Sequence, residues 1–465
     1  MALSVAVSSL IQGYNTGVIG GALLFIVPEF GIEDQPALQG LIVTATTVGS
    51  VLGTVVASRL ADSAGRRGTM LMSSALFVSA GIALCWAPTA ALLILARFVI
   101  GVAIGNAGSV VPVYIAECAE KSSRGALSTI PQLFISTGIL ISYVVSLCIS
   151  IVGAGQWRIM TGFTLLPALV QTCLCLFFLP ESPRWLLRKG DRIHARKALA
   201  RLRGTRRLEE AEPELIEIER GLELEKSAEG GDEMSGFASL WRDPSLRRSV
   251  ALCVTLQMLQ QWSGINAIVY YTPQTLKEVG VPLLFETLGF NPDASSLIAT
   301  ILAYVPKIPS LLLTMALMDR VGRRRLLQVF VPLMGVCHFA LAASFSYMTT
   351  SAILPRLVAV ASICMYGCAF ALSLGPIPNI LTAELFPLKA RSSGMAVSLG
   401  AQFFFNTLVG MGFPVLRHKL GTHTVFAGFG GVCLIAWLFI NRFVPETKGA
   451  SLEGLSSKFE KPKDK

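Results

Sequence analysis

The chain has 465 residues, of which 53% are hydrophobic and only 15% are charged. A water-soluble domain carries roughly 25% charged residues, so this composition excludes a soluble globular protein and indicates a membrane protein. The formal net charge of +10 would suit a nucleic acid partner, but the distribution of the charges along the chain, described below, excludes that class of function.

Twelve apolar segments, each of about 20 residues and therefore long enough to cross a bilayer as a helix, follow one another along the chain. Six precede a charged insert and six follow it. The sequence therefore predicts an all-α membrane protein of twelve transmembrane helices in two six-helix bundles. The predicted domains are an N-terminal bundle (1–179), a cytoplasmic linker with short surface helices (180–246), a C-terminal bundle (247–444) and a cytoplasmic tail (445–465).

Basic residues are distributed unequally between the two sides of the membrane. If the N-terminus is cytoplasmic, most of the 39 Lys and Arg fall in cytoplasmic loops, and the few outside are Arg158, Lys277, Arg356, Arg417 and Lys419. The positive-inside rule then predicts that both termini are cytosolic. The basic charge therefore reflects topology rather than a nucleic acid partner, while the Lys-rich tail leaves a contact with membrane lipid open. Met1 runs almost directly into the first segment, so the N-terminal tail is either short or incomplete.

The cysteines and histidines do not have the pattern of a metal or catalytic centre. The ten Cys lie almost entirely in apolar segments and the four His form no cluster, so we predict no metal and no cofactor. The sequence contains no recognisable nucleophile–base pair or phosphate-binding loop, which makes an enzyme the least favoured class. His338, in the ninth segment, is interpreted as a satisfied or lipid-edge histidine rather than a proton relay.

The insert at 180–246 carries a near-neutral mixture of charges. Residues 191–203 and 209–226 have the charge pattern of surface helices, in which side chains of opposite charge support one another at helical spacing. A Glu-Gly-Gly-Asp sequence at 229–232 predicts a flexible break. We interpret the insert as a solvated linker between two bundles.

A charged motif occurs once in each half of the chain. Asp62, Arg66 and Arg67 lie between two apolar segments, and Asp319, Arg323 and Arg324 lie between two others. A second pair repeats with it, with Glu117 and Arg124 in the first half matched by Glu384 and Arg391 in the second. A duplicated membrane bundle with matched charges at one face is typical of an alternating-access carrier.

Six short motifs in this order resemble the sugar porter family of the major facilitator superfamily over essentially the whole length. They are Gly13–Gly17, the two Gly-Arg-Arg loops, Pro180–Trp185, Gln260–Asn266, Gly375–Asn379 and Pro445–Gly449. Within the family the chain looks most like plant and algal tonoplast monosaccharide transporters. The resemblance implies a major facilitator fold, transport of a hexose, and a monomer in the tonoplast or plasma membrane.

The resemblance also implies that the repeated charges form a cytoplasmic gate, with arginines that pair bidentately with carboxylates. The alternative is that these charges only set the topology. The predicted gate residues are Asp62, Arg66, Arg67, Glu117, Arg124, Glu181, Arg184, Asp319, Arg323, Arg324, Glu384, Arg391 and Glu446.

Amide side chains are the candidate sugar ligands, because they offer neutral donors and acceptors to hydroxyl groups. Gln257, Gln260 and Gln261 share one face of the seventh segment. Asn266 would leave that face in a straight helix, so we expect Gly264 to break the helix, as Gly375 and its prolines should break the tenth. By resemblance the substrate-binding residues are Gln132, Gln260, Gln261, Asn266, Tyr270, Asn379, Gln402 and Asn406.

One alternative for these amides is interhelical hydrogen bonding without a ligand. Asn379 stands where many hexose facilitators of the family carry Trp, so an aromatic lid over the sugar is not expected at that position. A sugar sensor is a rival of another class, but such proteins usually signal through a long cytosolic domain, which neither the insert at 180–246 nor the short tail supplies.

Asn15, Arg97 and Lys307 bear on energy coupling. Proton-coupled members of the family carry Asp at the position of Asn15, facing an arginine that matches Arg97, whereas facilitators carry Asn, which favours uniport. The tonoplast relatives carry Asp, so proton-coupled symport or antiport remains the alternative. Lys307 lies near mid-membrane, at a position where family members with known sugar contacts often carry Asn. It is interpreted as a donor to the sugar, as a structural residue, or as a charge switch that would restore proton coupling or select an anion.

Overall fold

The computed structural model describes residues 2–120, 127, 129–152, 157–205, 207–228, 240–285, 289–346, 353–386 and 388–447. All regular structure in these ranges is helical. The α-helices, numbered in chain order, are α1 Ala2–Phe30, α2 Pro36–Ser63, α3 Gly65–Cys85, α4 Ala90–Cys118, α5 Ile130–Val152, α6 Trp157–Gly162, α7 Leu165–Cys173, α8 Pro183–Arg188, α9 Arg192–Arg203, α10 Glu212–Ala228, α11 Pro244–Trp262, α12 Ile265–Glu278, α13 Pro292–Tyr304, α14 Lys307–Val321, α15 Arg323–Ser346, α16 Ile353–Leu372, α17 Ile377–Leu385, α18 Leu388–Leu420 and α19 Thr422–Phe443.

Among the described residues, eleven helical segments are long and apolar enough to cross a membrane. The seventh of the twelve predicted segments is outside this count. It consists of two helices, α11 and α12, separated at Gly264, and α11 carries two arginines and three glutamines that make it less apolar than the other spans. The tenth is likewise interrupted between α16 and α17, next to Gly375 and Pro376. Both interruptions were predicted from the sequence, and they lie where the candidate site is built.

The chain forms two compact units. The first comprises 1–15, 45–139 and 161–233. Inside it α2 and α4 approach each other through two glycine pairs spaced four residues apart, Gly49 with Gly53 and Gly101 with Gly105. A Cβ atom at Gly105 would lie 2.0 Å from the carbonyl oxygen of Ser50. Small residues allow this backbone contact, which supplies packing between helices in lipid, where water offers no driving force.

The second unit comprises 16–44, 140–160 and 234–465. It therefore includes parts of α1 and α5 together with all of the C-terminal half. Tyr143 of α5 donates its hydroxyl to the backbone oxygen of Val269 in α12, at 2.7 Å. A Cβ at Gly20 of α1 would lie 2.9 Å from the backbone oxygen of Tyr270 in α12. These contacts fix α12 against segments from the N-terminal half.

The insert contains a small packed cluster as well as solvated helices. Asp191 begins α9 by accepting the backbone amide of His194, and this hydrogen bond lowers the pKa of the Asp191 carboxyl. The predicted surface helices are present as α9 and α10. Their apolar side chains form a core, which a purely solvated linker would lack, from Ala195, Leu199, Ala200, Ala211 and Leu215. The predicted break at 229–232 lies outside the described residues.

Candidate functional site

Three amide side chains form a continuous chain of hydrogen bonds in the second unit, which we call the amide chain. Asn266 donates to the side-chain oxygen of Gln261, and Gln261 donates to that of Gln260 at 2.8 Å. Gln260 in turn donates to the backbone oxygens of Leu374 and Gly375. All three side chains are buried. The amide chain therefore links the break in the seventh span to the break in the tenth.

Gly264 is the residue that allows Asn266 to join Gln261. Its φ of +88° is in the left-handed region, where a side chain is strained. A Cβ there would also lie 2.8 Å from the ring of Phe429. In a straight helix, five residues place two side chains roughly 140° apart. The turn at Gly264 removes this separation, so the amides before and after the break meet.

The other predicted ligands of the second unit lie on α12 itself and on other helices of that unit. Tyr270 donates its hydroxyl to the side-chain oxygen of Asn406 at 3.2 Å. Asn379 is exposed and accepts the side-chain amide of Gln257 at 2.8 Å. Gln402 is half-buried on α18, one helical turn before Asn406. Gln132 lies in the first unit, exposed near the beginning of α5.

These groups can recognise a polyhydroxylated, uncharged ligand. Each amide offers both a donor and an acceptor, which matches the dual character of a hydroxyl. In this structure the three members of the amide chain are paired with one another and with backbone oxygens, so a ligand would replace these protein hydrogen bonds with its own. The cluster contains neither a carboxylate nor a cation within its described contacts.

Asn15 is buried in the first unit with both amide functions in use. Its nitrogen donates to the backbone oxygen of Ile11 at 2.9 Å, and its oxygen accepts the hydroxyl of Thr164 at 3.2 Å. Arg97 is fully buried on α4 and donates to the hydroxyl of Thr46 at 3.5 Å. The residue at the predicted coupling position is therefore a neutral amide with both of its functions hydrogen-bonded.

Lys307 begins α14 and is buried in the second unit, with 8% of its surface exposed. Its ammonium lies 4.8 Å from the ring centre of Tyr304 and 5.6 Å from that of Phe370. Within the described chain it has no hydrogen bond to a carbonyl and no paired carboxylate. It lines a cavity between α12, α13 and α16, on a face of α12 that includes Ile265 and Ile268.

The gate residues of the first unit form a connected group, the N-half charge cluster (Arg66, Arg67, Glu117, Glu181). Arg66 makes a bidentate pair with Glu117, with nitrogen–oxygen distances of 3.1 and 3.0 Å. Glu181 accepts the backbone amides of Arg66 and Arg67, so it caps α3. The Arg67 side chain donates to two backbone oxygens at the end of the sixth span. A carboxylate oxygen of Asp62 lies 3.4 Å from a guanidinium nitrogen of Arg66. Arg184, on α8, is half-buried and follows Glu181 closely in the chain.

The same arrangement recurs in the second unit as the C-half charge cluster (Arg323, Arg324, Glu384, Glu446). Glu446 accepts the backbone amides of Arg323 at 3.0 Å and Arg324 at 3.2 Å. The Arg323 side chain pairs with Glu384 at 3.1 Å. Each described pair thus forms within its own unit. Arg124 and the side chains of Asp319 and Arg391 lie outside the described residues, so their predicted roles stay predictions.

Sequence reasoning missed Ser182 and the two glycines of the charged loops. The Ser182 hydroxyl donates to Glu117 at 2.5 Å, so it completes the N-half charge cluster. Gly65 and Gly322 have φ of +82° and +96°, and a Cβ on either would lie under 3 Å from the capping glutamate. The signal was available, because Ser182 follows Glu181 directly and each glycine precedes the paired arginines.

The sequence profile of the family described as "Sugar (and other) transporter" matches residues 1–459. The chain belongs to this family. The Arabidopsis thaliana plastidic glucose transporter 4 is 32% identical over 447 residues, covering 96% of this chain and 77% of that protein. The galactose-proton symporter of Escherichia coli (strain K12) is 31% identical over 454 residues, covering 96% and 91%.

Among solved structures, the inward-open conformation of the xylose transporter XylE from E. coli is 26% identical and has a TM-score of 0.80. The match covers 98% of both chains. These similarities confirm the predicted sugar porter family and the predicted twelve-helix major facilitator fold. The chain is a multi-pass membrane protein of a transporter family.

Proposed function

We propose that this sugar transporter family member carries a monosaccharide, specifically a hexose, across its membrane by alternating access, as a uniporter. The single observation that carries the proposal is the buried amide chain of Asn266, Gln261 and Gln260 at a broken helix. Broken helices at the binding depth supply both side chains and free backbone groups to a substrate. The same proposal includes further sugar ligands, namely Gln132, Tyr270, Asn379, Gln402 and Asn406.

The relatives support the class of substrate. One is named a glucose transporter, one a galactose symporter and one a xylose transporter. These sugars share a ring of neutral hydroxyls, which fits a cluster of amides without charged groups. A hexose is therefore the substrate to test first.

Uniport rests on Asn15, which has no proton to gain or lose in the physiological range. Its hydrogen bonds to Ile11 and Thr164 satisfy it as a neutral group. A proton-coupled cycle requires a group inside the membrane whose charge changes as the sugar binds. Asn15 cannot serve as that group.

Proton coupling is the second candidate, and Lys307 is the observation that favours it. A buried ammonium without a carboxylate partner in the described chain is costly, so its charge is the one most easily removed during a transport cycle. Two of the relatives are named proton symporters, the galactose-proton symporter and XylE, which is also described as a proton:xylose symporter. In this alternative Lys307, and not Asn15, would carry the proton.

The two charge clusters are proposed as parts of the cytoplasmic gate, and each would keep its internal pairs and become hydrated as the carrier opens inward. Their more exposed ion pairs contribute only about 0–1 kcal/mol each, so several such pairs are needed to bias two states. We further propose cytosolic termini, a monomeric state, and residence in the tonoplast or plasma membrane.

The test is uptake of radiolabelled glucose into proteoliposomes, with and without an imposed pH gradient and a protonophore. Equilibrating uptake that ignores both treatments is the result expected of a uniporter. Accumulation that collapses with the protonophore, and that Lys307→Met abolishes, would overturn uniport in favour of the second candidate. Saturable hexose binding without any uptake would instead favour a sugar sensor.

A further inference from the structure

The break in the seventh span leaves the backbone oxygen of Ser263 between two helices. It accepts hydrogen bonds from two side chains of other helices, His338 Nε2 of α15 at 2.8 Å and Tyr366 Oη of α16 at 2.9 Å. Because a carbonyl can only accept, the hydrogen of the His338 imidazole is assigned to Nε2. Both oxygen lone pairs of Ser263 are thereby occupied.

Aromatic rings fill the space around these two donors. The His338 ring stacks on Phe426 at 5.8 Å between centroids and contacts the Tyr366 ring at 4.5 Å. His338 is 1% exposed, and a Cβ at Gly264 would lie 3.3 Å from its Cε1. The rings therefore leave His338 little freedom to move away from the break.

The same carbonyl lies next to the proposed sugar ligands in the chain. Ser263 donates its hydroxyl to the backbone oxygen of Gln260 at 2.7 Å. Gln260 and Gln261 precede the break and Asn266 follows it, so the angle between α11 and α12 decides whether their amides meet. A buried carbonyl left without a donor is unfavourable, which would favour relaxation of that angle.

We propose that His338 and Tyr366 are positioning residues for the sugar site, which hold the Ser263 carbonyl and thereby set the angle between α11 and α12. This inference rests on the proposed function, because it takes the amide chain as the place where sugar binds. The inference explains why a histidine lies inside the membrane at position 338: it donates a hydrogen bond to the Ser263 carbonyl and is not a proton relay.

The experiment compares His338→Phe, Tyr366→Phe and the double variant with wild type for the KM of glucose uptake. Each single variant keeps one donor to the Ser263 carbonyl, so we expect KM to rise about threefold, whereas the double variant should raise it at least tenfold. His338→Gln, which restores an N–H donor, should return KM to within about twofold of wild type. His418→Phe, the same change at an exposed position, is the control.

A second readout does not depend on transport. Spin labels are placed at Arg247 on α11 and Lys277 on α12, which are both exposed, and the distance between them reports the angle between the two helices. The exposed cysteines Cys85, Cys148 and Cys173 are first replaced by serine. The double variant His338→Phe/Tyr366→Phe should broaden the distribution of label–label distances. The single variant His338→Gln, which keeps Tyr366, should not.

An unchanged distribution in the double variant, or a KM no higher than that of the His418→Phe control, would overturn the inference. A His338→Gln variant as impaired as His338→Phe would overturn it too, because packing alone would then explain the histidine. Absence of hexose uptake and binding in wild type would contradict the proposed function, while the distance measurement would still decide whether His338 and Tyr366 hold the break.

Discussion

Glu181 and Glu446 each accept the backbone amides of two consecutive arginines at the start of a helix, and in both cases a positive-φ glycine directly precedes the arginines. The repeated carboxylates are therefore helix caps as well as partners of the charge clusters. The negative charge also lies at the positive end of the helix dipole, which stabilises it there. The internal repeat of the chain thus extends to individual hydrogen bonds.

Gly65→Ala should destabilise the N-terminal half. A Cβ at this position would lie 2.3 Å from Oε2 of Glu181, and the φ of +82° is strained for any residue with a side chain. Loss of the cap and the strain should together lower the free energy of unfolding by about 2–4 kcal/mol. Thermal unfolding in detergent measures this.

Gly221→Ala provides the control for that prediction. Gly221 lies inside α10, and a Cβ atom added there would meet nothing within 4 Å, so alanine should stabilise by up to about 1 kcal/mol. Equal melting temperatures for Gly65→Ala and wild type would contradict the capping role of Glu181.

Glu117→Gln should be more damaging than the equivalent change Glu384→Gln. Arg66 and Glu117 have 6% and 9% of their side chains exposed, whereas Arg323 and Glu384 have 17% and 24%. Removing one partner of a buried pair costs about 3–5 kcal/mol, while a more hydrated pair is worth about 0–1 kcal/mol. The melting temperatures of the two variants, measured side by side, should differ in that order, and the reverse order would refute the argument from burial.

Gln261→Ala should weaken sugar binding without unfolding the protein. Gln261 is the middle member of the amide chain, so its loss leaves both Gln260 and Asn266 without a side-chain partner. At about 1–3 kcal/mol for lost hydrogen bonds, we expect the KM for glucose to rise roughly 5- to 150-fold.

Gln328→Ala is the matched control for Gln261→Ala. Gln328 makes a comparable amide–amide hydrogen bond, 2.7 Å long, with Asn441, away from the proposed site. It should leave KM within about twofold of wild type. Equal effects of the two substitutions on KM would argue that the amide chain only joins helices.

Asn15→Asp should introduce a pH dependence that wild type lacks. Only the protonated carboxyl can donate to the Ile11 oxygen as Asn15 does, and a buried carboxylate is disfavoured. Uptake by this variant should therefore be highest at acid pH and fall as pH rises and the proton is lost. Asn15→Ala should lower uptake equally at every pH, and a flat profile for Asn15→Asp would count against the placement of residue 15.

Local rules predicted the two helix breaks well. Gly264 shortly after paired glutamines, and glycine and prolines at 375–378, disfavour a continuous helix wherever they occur. The helical repeat alone predicted that Gln261 and Asn266 would face different directions in a straight helix and could meet only if the helix is broken between them. The surface helices of the insert followed from their charge spacing.

Contacts between segments that are distant along the chain could not be predicted from the residues near each contact. The approach of Gly53 and Gly105 depends on which helices become neighbours, and no feature near either residue specifies its partner. The partners of the Ser263 carbonyl likewise come from α15 and α16, far along the chain. The repeated charges identified the members of each cluster, but only the structure assigned Arg66 to Glu117 and the backbone amides to Glu181.

The positions of Glu181 and Glu446 also bear on the order of assembly during synthesis. Each cap comes after the last span of its own half, whereas the helix it caps begins near the second span. The start of α3 can therefore be capped only after the sixth span has been synthesised. The hydrogen bonds of the N-half charge cluster can then form while the second half is still being translated. The C-half charge cluster closes only after the twelfth span, so the two halves mature in sequence.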